Sequence, residues 1–256
     1  MHKASSAASA ASRFLNETRD KLAPGQPPRP DFSYDLLSIF VRSELTASLA
    51  IPALAIVLAV GLLPWAPVNS LLFWLATVFI SKGILIFLCR RFQMVPRKYA
   101  DCEIWRRYLA AAEFLYATTW ASIVFVDLAP EYQSSAFFFL FAAIMVVVAM
   151  RTMFASTVMR IFYAGTIPMT AALVLRFMLA EHPFYWSLAA VAIGIHVYFL
   201  FLANGLQRNV LSMLEYRAEK DALVAELEQA NAVLDEARIR AEAANLAKSK
   251  FLANMS

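Results

Sequence analysis

Long apolar runs separated by short polar breaks dominate the first four-fifths of the chain. Six stretches, 45–63, 69–89, 108–128, 134–150, 158–180 and 184–204, approach the length of about 20 residues that crosses a bilayer's hydrocarbon. Pro64 and Pro67 in LLPWAPVNS end the first run, DLAPEYQSS divides the third from the fourth, and EHPFYW opens the sixth. Trp65, Trp74, Tyr132, Tyr185 and Trp186 fall near run ends, where amphipathic rings settle at headgroup level. The pattern predicts an all-α fold built on a six-helix transmembrane bundle.

Past Arg208 the pattern changes period. The segment from Asn209 onward has no Gly or Pro and is rich in Ala, Glu, Leu and Lys/Arg. Its apolar positions Leu223, Leu227, Ala230, Leu234, Ala237, Ala241 and Ala244 step alternately by four and three, which is a heptad seam. Small and partly polar seam residues release little energy on burial, so the coiled coil is expected to be weak and adjustable. Chains anchored in the same membrane face pair in parallel and in register, which predicts a homodimer; the alternative is a solitary solvated helix. Nothing in the sequence breaks this helix away from the sixth span.

Composition fits a membrane protein. Hydrophobic residues make up 61% and charged residues 16%, with mean hydropathy +0.58. A soluble domain carries about a quarter charged residues. A net charge of +4, scattered beside apolar runs, gives no stripe for nucleic acid. Cys89 and Cys102 match no disulfide or metal spacing.

The placement of charge sets an expected orientation. Arg90, Arg91, Arg97, Lys98, Arg106 and Arg107 lie between spans two and three, Arg151 and Arg160 flank the connection of spans four and five, and Arg208 follows span six. The opposite connections carry Asp127, Glu131, Glu181 and His182, with Arg176 as the nearby base. Both termini are therefore expected in the cytoplasm. The segments are expected to divide into a flexible cytoplasmic tail at 1–40, a six-span transmembrane domain at 41–208, a coiled-coil helix at 209–245 and a further element starting at 246–256.

Ionisable groups within spans are costly and usually face the bundle interior. Lys82 and Glu113 lie at similar depth in spans two and three, which predicts an intramembrane ion pair; otherwise Lys82 snorkels to the headgroups and Glu113 sits neutral. Glu113, Tyr116 and Trp120 share one helical face, and with His196 and Tyr198 of span six they are the candidate lining of a ligand pocket, against the alternative of plain packing. His196 reads either as a ligand or pH-responsive group, or as a buried histidine satisfied by a neighbouring carbonyl. No second ligand at metal spacing accompanies it, so no metal site is expected.

The run AEAANLAKSKFLANMS resembles the start of the dimerisation and phosphoacceptor domain of sensor histidine kinases. In that family the pattern continues into His-Glu-Leu-Arg-Thr-Pro, whose histidine takes phosphate from ATP. The resemblance covers about the last dozen residues, and the six spans resemble, at the level of architecture, the input region of multi-span kinases. It implies a bacterial inner-membrane protein of a two-component system, relaying phosphate from histidine to a response regulator. The phosphoacceptor is expected just after Ser256, since His2, His182 and His196 do not occupy the motif position. No catalytic residue and no cofactor is therefore expected within these residues; ATP and Mg²⁺ belong to the kinase domain. Expected partners are a second copy of the chain, the lipid bilayer and an unidentified small-molecule or membrane-derived signal, with the regulator reached only through kinase domains. The alternatives are the receptor module of a nucleotide cyclase, which should lead into a different junction, and a small-molecule transporter. Against a transporter stand the single mid-span proline, Pro168, and the absence of internal repeats.

Overall fold

The computed structural model describes residues 32–180 and 182–255, with side chains up to residue 243. The tail before residue 32, the side chain of Ala244 and those of the 246–256 junction lie outside the described residues. The described fold is entirely helical. Its α-helices are α1 Ser33–Thr46, α2 Ala50–Leu62, α3 Val68–Gln93, α4 Cys102–Ala121, α5 Gln133–Ala155, α6 Met159–Met178 and α7 Pro183–Met255.

Five helical stretches are long and apolar enough to cross a membrane, and six if α1 and α2 count as one bent span. Those two helices meet at 47°. Pro52 explains the break. It sits in the first turn of α2, where the N–H it lacks would be unpaired anyway, and its ring crowds the carbonyl of Ser48 in any helix running straight through. Span one is thus shorter as a straight helix than the run 45–63 predicts. The expected tail boundary at residue 40 also moves, because α1 begins at Ser33 and is part of the bundle. It buries Leu37, Phe40, Val41 and Glu44, at the i, i+3, i+4, i+7 spacing of one helical face.

The remaining spans follow the sequence pattern with one consequential shift. α3 ends on Arg90 and Arg91, and α4 starts at Asp101, whose carboxylate accepts the backbone N–H groups of Glu103 and Ile104 at 3.0 and 3.1 Å. The fourth span does not stop at residue 150; α5 continues to Ala155 and buries Arg151 and Thr152. α4 lies centrally, packed against α3, α6 and α1, while α7 rests on α5 and α6.

The bundle has two chemically distinct ends. At one, Arg97 forks onto Asp35 (2.8 and 3.2 Å) and Arg160 reaches Glu103 at 2.5 Å. At the other, the N–H of Ala129 donates to the Trp65 carbonyl at 2.9 Å, tying the α2–α3 and α4–α5 turns together. Of the basic residues gathered by the sequence pattern, Arg90, Arg91, Arg97, Arg106, Arg107 and Arg160 share the first end, whereas Arg151 is buried inside the bundle. From the bundle, α7 continues as one helix of 73 residues, about 110 Å at 1.5 Å per residue.

Candidate functional site

Four helices each contribute one charge to a single buried cluster. On α1 the charge is Glu44, on α3 Lys82, on α4 Glu113 and on α5 Arg151; all four side chains are 2% exposed or less. Each occupies the inward stripe of its helix. Lys82 continues the Leu71, Trp74, Val78 row of α3, Glu113 lies between Leu109 and Tyr116 on α4, and Arg151 follows Ile144, Val147 and Val148 on α5. Helical period therefore turns each of the four toward the bundle interior.

Lys82 Nζ donates to Glu44 Oε2 at 2.6 Å, and Arg151 Nη1 donates to Glu44 Oε1 at 2.5 Å. The second arm of the guanidinium, Nη2, pairs with Glu113 Oε1. Two cations and two carboxylates cancel, which is what allows the cluster to exist away from water. The planar guanidinium fork suits a bridge between two carboxylates, a task a lysine's point charge cannot share in the same way. Glu113 Oε2 and Arg151 Nε have no hydrogen-bond partner among the described residues, so the cluster is neutral but not saturated.

Aromatic rings close the site on one side. Lys82 Nζ lies 5.2 Å from the Tyr116 ring centroid, a cation–π contact. Trp120 meets Trp74 edge to face at 5.4 Å, and Trp74 Nε1 donates to the Thr119 carbonyl at 2.8 Å. Trp74 in turn lines an outward-opening cavity of about 480 Å³ between α3 and the turn after α4, together with Phe73, Thr77, Ser122 and Asp127. That volume falls within the range of small-molecule pockets.

The sequence-derived candidates separate into three groups. Glu113, Tyr116, Trp120 and Lys82 come together in the cluster. The expected direct pair between Lys82 and Glu113 is replaced: Lys82 takes Glu44 as its partner and Glu113 takes Arg151. The reason is the unanticipated pair of charges, since Glu44 lies on α1 within reach of both cations. His196 is held elsewhere, its Nδ1 2.9 Å from the Thr170 hydroxyl on α6 rather than on a carbonyl. Tyr198 is 62% exposed and turned away from the bundle, as expected two residues from an inward His196.

Glu44 and Arg151 are the two members absent from the sequence-derived set. Their signal was present: Glu44 is seven residues after Leu37 in an amphipathic stripe, and Arg151 is seven after Ile144. No group of three or more His, Cys, Asp or Glu side chains that could hold a metal occurs among the described residues. The seam residues Leu223, Leu227 and Leu234 are 55, 64 and 65% exposed on the single chain, and Ala230, Ala237 and Ala241 are exposed beside them.

The apolar helices and the neutralised charge cluster define a multi-pass helical membrane protein. Comparison with protein-family models, with curated proteins and with solved structures gives no match.

Proposed function

We propose that the chain is the membrane input and signal-transmitting part of a two-component sensor histidine kinase. The observation that carries this reading is continuity. α7 runs unbroken from Pro183 among the spans to Met255, so one continuous helix begins in the bundle and ends in the run NLAKSKFLANMS, the segment resembling the entry to a phosphoacceptor domain. A shift or rotation of α7 at its membrane end is delivered to that junction without an intervening joint. Two parallel copies joined along the Leu223–Ala244 seam would hand it to a dimeric kinase core, which autophosphorylates a histidine from ATP and Mg²⁺ and relays the phosphate to a response regulator. The concentration of Arg at the bundle end from which α7 emerges supports a cytoplasmic location for both termini.

In this reading the buried cluster is the two-state element. Arg151 divides its guanidinium between carboxylates on α1 and α4, and a change in helix packing alters how that charge is shared. Coupling of this kind requires discrete states that both sites bias. The connections at the end opposite the arginine-rich one are short, so the stimulus acts within or beside the bilayer.

The test is a chimera of residues 1–256 with the phosphoacceptor and ATP-binding domains of a histidine kinase, assayed for autophosphorylation in membranes. Insertions of one, two or four residues within 209–245 are expected to change the rate, whereas a seven-residue insertion restores the heptad phase and the rate. Equal rates for all insertions would reduce α7 to a passive tether.

A further inference from the structure

Where α7 leaves the bundle, the arginine-rich end contains a crevice of about 210 Å³ that the charge cluster does not use. Its walls include Leu37 of α1, Arg106 of α4, Thr157 of the α5–α6 turn, Arg160 at the start of α6, and Gln207 of α7.

Three features of this crevice point to an anion with an apolar attachment. Glu103 is surrounded by three guanidinium groups, Arg106 at 2.9 Å, Arg160 at 2.5 Å and Arg107 at 3.5 Å. One carboxylate against three cations leaves a formal excess of two positive charges beside the crevice. Thr157 is 5% exposed, and its hydroxyl has no hydrogen-bond partner among the described residues although the residue lines the crevice. Buried hydroxyls are normally satisfied, so an orphan on a cavity-lining residue points to a missing acceptor. Apart from Ser33 and Gln207 the remaining wall is apolar, formed by Leu36, Leu37, Val158 and Met159.

We infer that this crevice binds the phosphate of an anionic phospholipid headgroup. Arg106 and Arg160 supply charge-assisted hydrogen bonds to the phosphate oxygens, Thr157 donates its hydroxyl proton, and the apolar wall receives the start of the acyl region. Gln207 Nε2 already donates to the Thr157 carbonyl at 3.4 Å, so the occupant lies against the root of α7. Binding itself does not depend on the kinase reading; only a consequence for output rests on it.

The test titrates the purified chain with phosphatidylglycerol, phosphatidylcholine or inorganic phosphate and counts bound molecules by native mass spectrometry. Phosphatidylglycerol is expected to bind about tenfold more tightly than phosphatidylcholine, and Arg106→Gln with Arg160→Gln removes most of that preference. Thr157→Val, nearly isosteric and uncharged, weakens binding by about threefold to fivefold and keeps the test valid if the double arginine variant misfolds. Arg90→Gln with Arg91→Gln, exposed charges at the same end, leaves binding unchanged. The inference is overturned if that surface pair matters as much as the crevice pair, if Thr157→Val binds like the parent, or if both lipids bind equally. Full displacement of phosphatidylglycerol by an equal concentration of inorganic phosphate would make the ligand free phosphate and overturn the lipid assignment.

Discussion

Gly165 of α6 packs its bare Cα directly against the Glu113 carboxyl group. A β-carbon at this position would lie 2.5 Å from Oε1, 3.0 Å from Cγ and 3.2 Å from Cδ of Glu113. Because Gly165 and Glu113 are both buried, neither side can yield freely. The glycine is therefore what lets α6 close over α4 while Glu113 still reaches Arg151.

Gly165→Ala is expected to push the carboxylate off the guanidinium and to destabilise the bundle by about 1–3 kcal/mol, the range for overpacking a filled core. Thermal melting in nanodiscs measures the loss. The same substitution in a Glu113→Ala background should cost markedly less, with a coupling of at least about 0.5 kcal/mol. Additive costs would mean that the methyl group strains something other than Glu113.

Charge balance governs the second prediction. Glu44→Gln leaves Lys82 and Arg151 facing Glu113 alone, an uncompensated buried positive charge, and is expected to cost about 3–5 kcal/mol. Adding Lys82→Met returns the cluster to one cation and one anion and should recover most of the loss. Melting of the single and double variants decides it. A double variant less stable than Glu44→Gln would show that Lys82 stabilises the fold through its contact with Tyr116 more than through charge.

How much of this was readable from the sequence differs by element, for physical reasons. The bounds of α3 and α6 follow the sequence pattern within a few residues because long, mostly apolar runs end where a chain leaves the hydrocarbon. Residues 33–40 of α1 read as tail because Ser33, Asp35 and Ser38 interrupt its apolar residues, and only a helical-period reading reveals the buried Leu37, Phe40, Val41 and Glu44. The sequence pattern ends the fourth span before Arg151 because a lone arginine normally marks the headgroup boundary. Here two carboxylates on other helices neutralise it, so α5 runs on to Ala155. Such a partner lies more than a hundred positions away in Glu44, and no local pattern reports it.

The Thr170 hydroxyl and His196 Nδ1, 2.9 Å apart, form a polar link between α6 and α7. Thr170→Val removes the hydroxyl and should cost about 0.6–2 kcal/mol, the range for hydrogen bonds between transmembrane helices. Thr170→Ser keeps the bond and should remain close to the parent. Melting curves of the two variants measure the difference. Equal stabilities would mean that His196 is satisfied without Thr170.

The last prediction concerns the exposed seam of α7. Leu227 and Leu234 are large apolar side chains surrounded on their helix by Glu, Asp and Arg, and both are well over half exposed on the single chain. A solitary helix gains nothing from spacing such residues by seven, whereas a parallel pair stacks them against their own counterparts. Single cysteines at Leu227 and Leu234, placed in a Cys102→Ser background so that the half-buried native thiol does not interfere, should therefore oxidise readily to disulfide-linked dimers in membranes. Cysteines at Glu228 and Asp235, one position further along and about 100° around the helix, should link several-fold less. Crosslinking yield across residues 223–241 is expected to rise and fall with the four-and-three rhythm of the seam. A yield that is uniformly low, or that shows no such rhythm, would leave α7 as a single solvated helix and would remove the dimer from the proposed route of signal transmission.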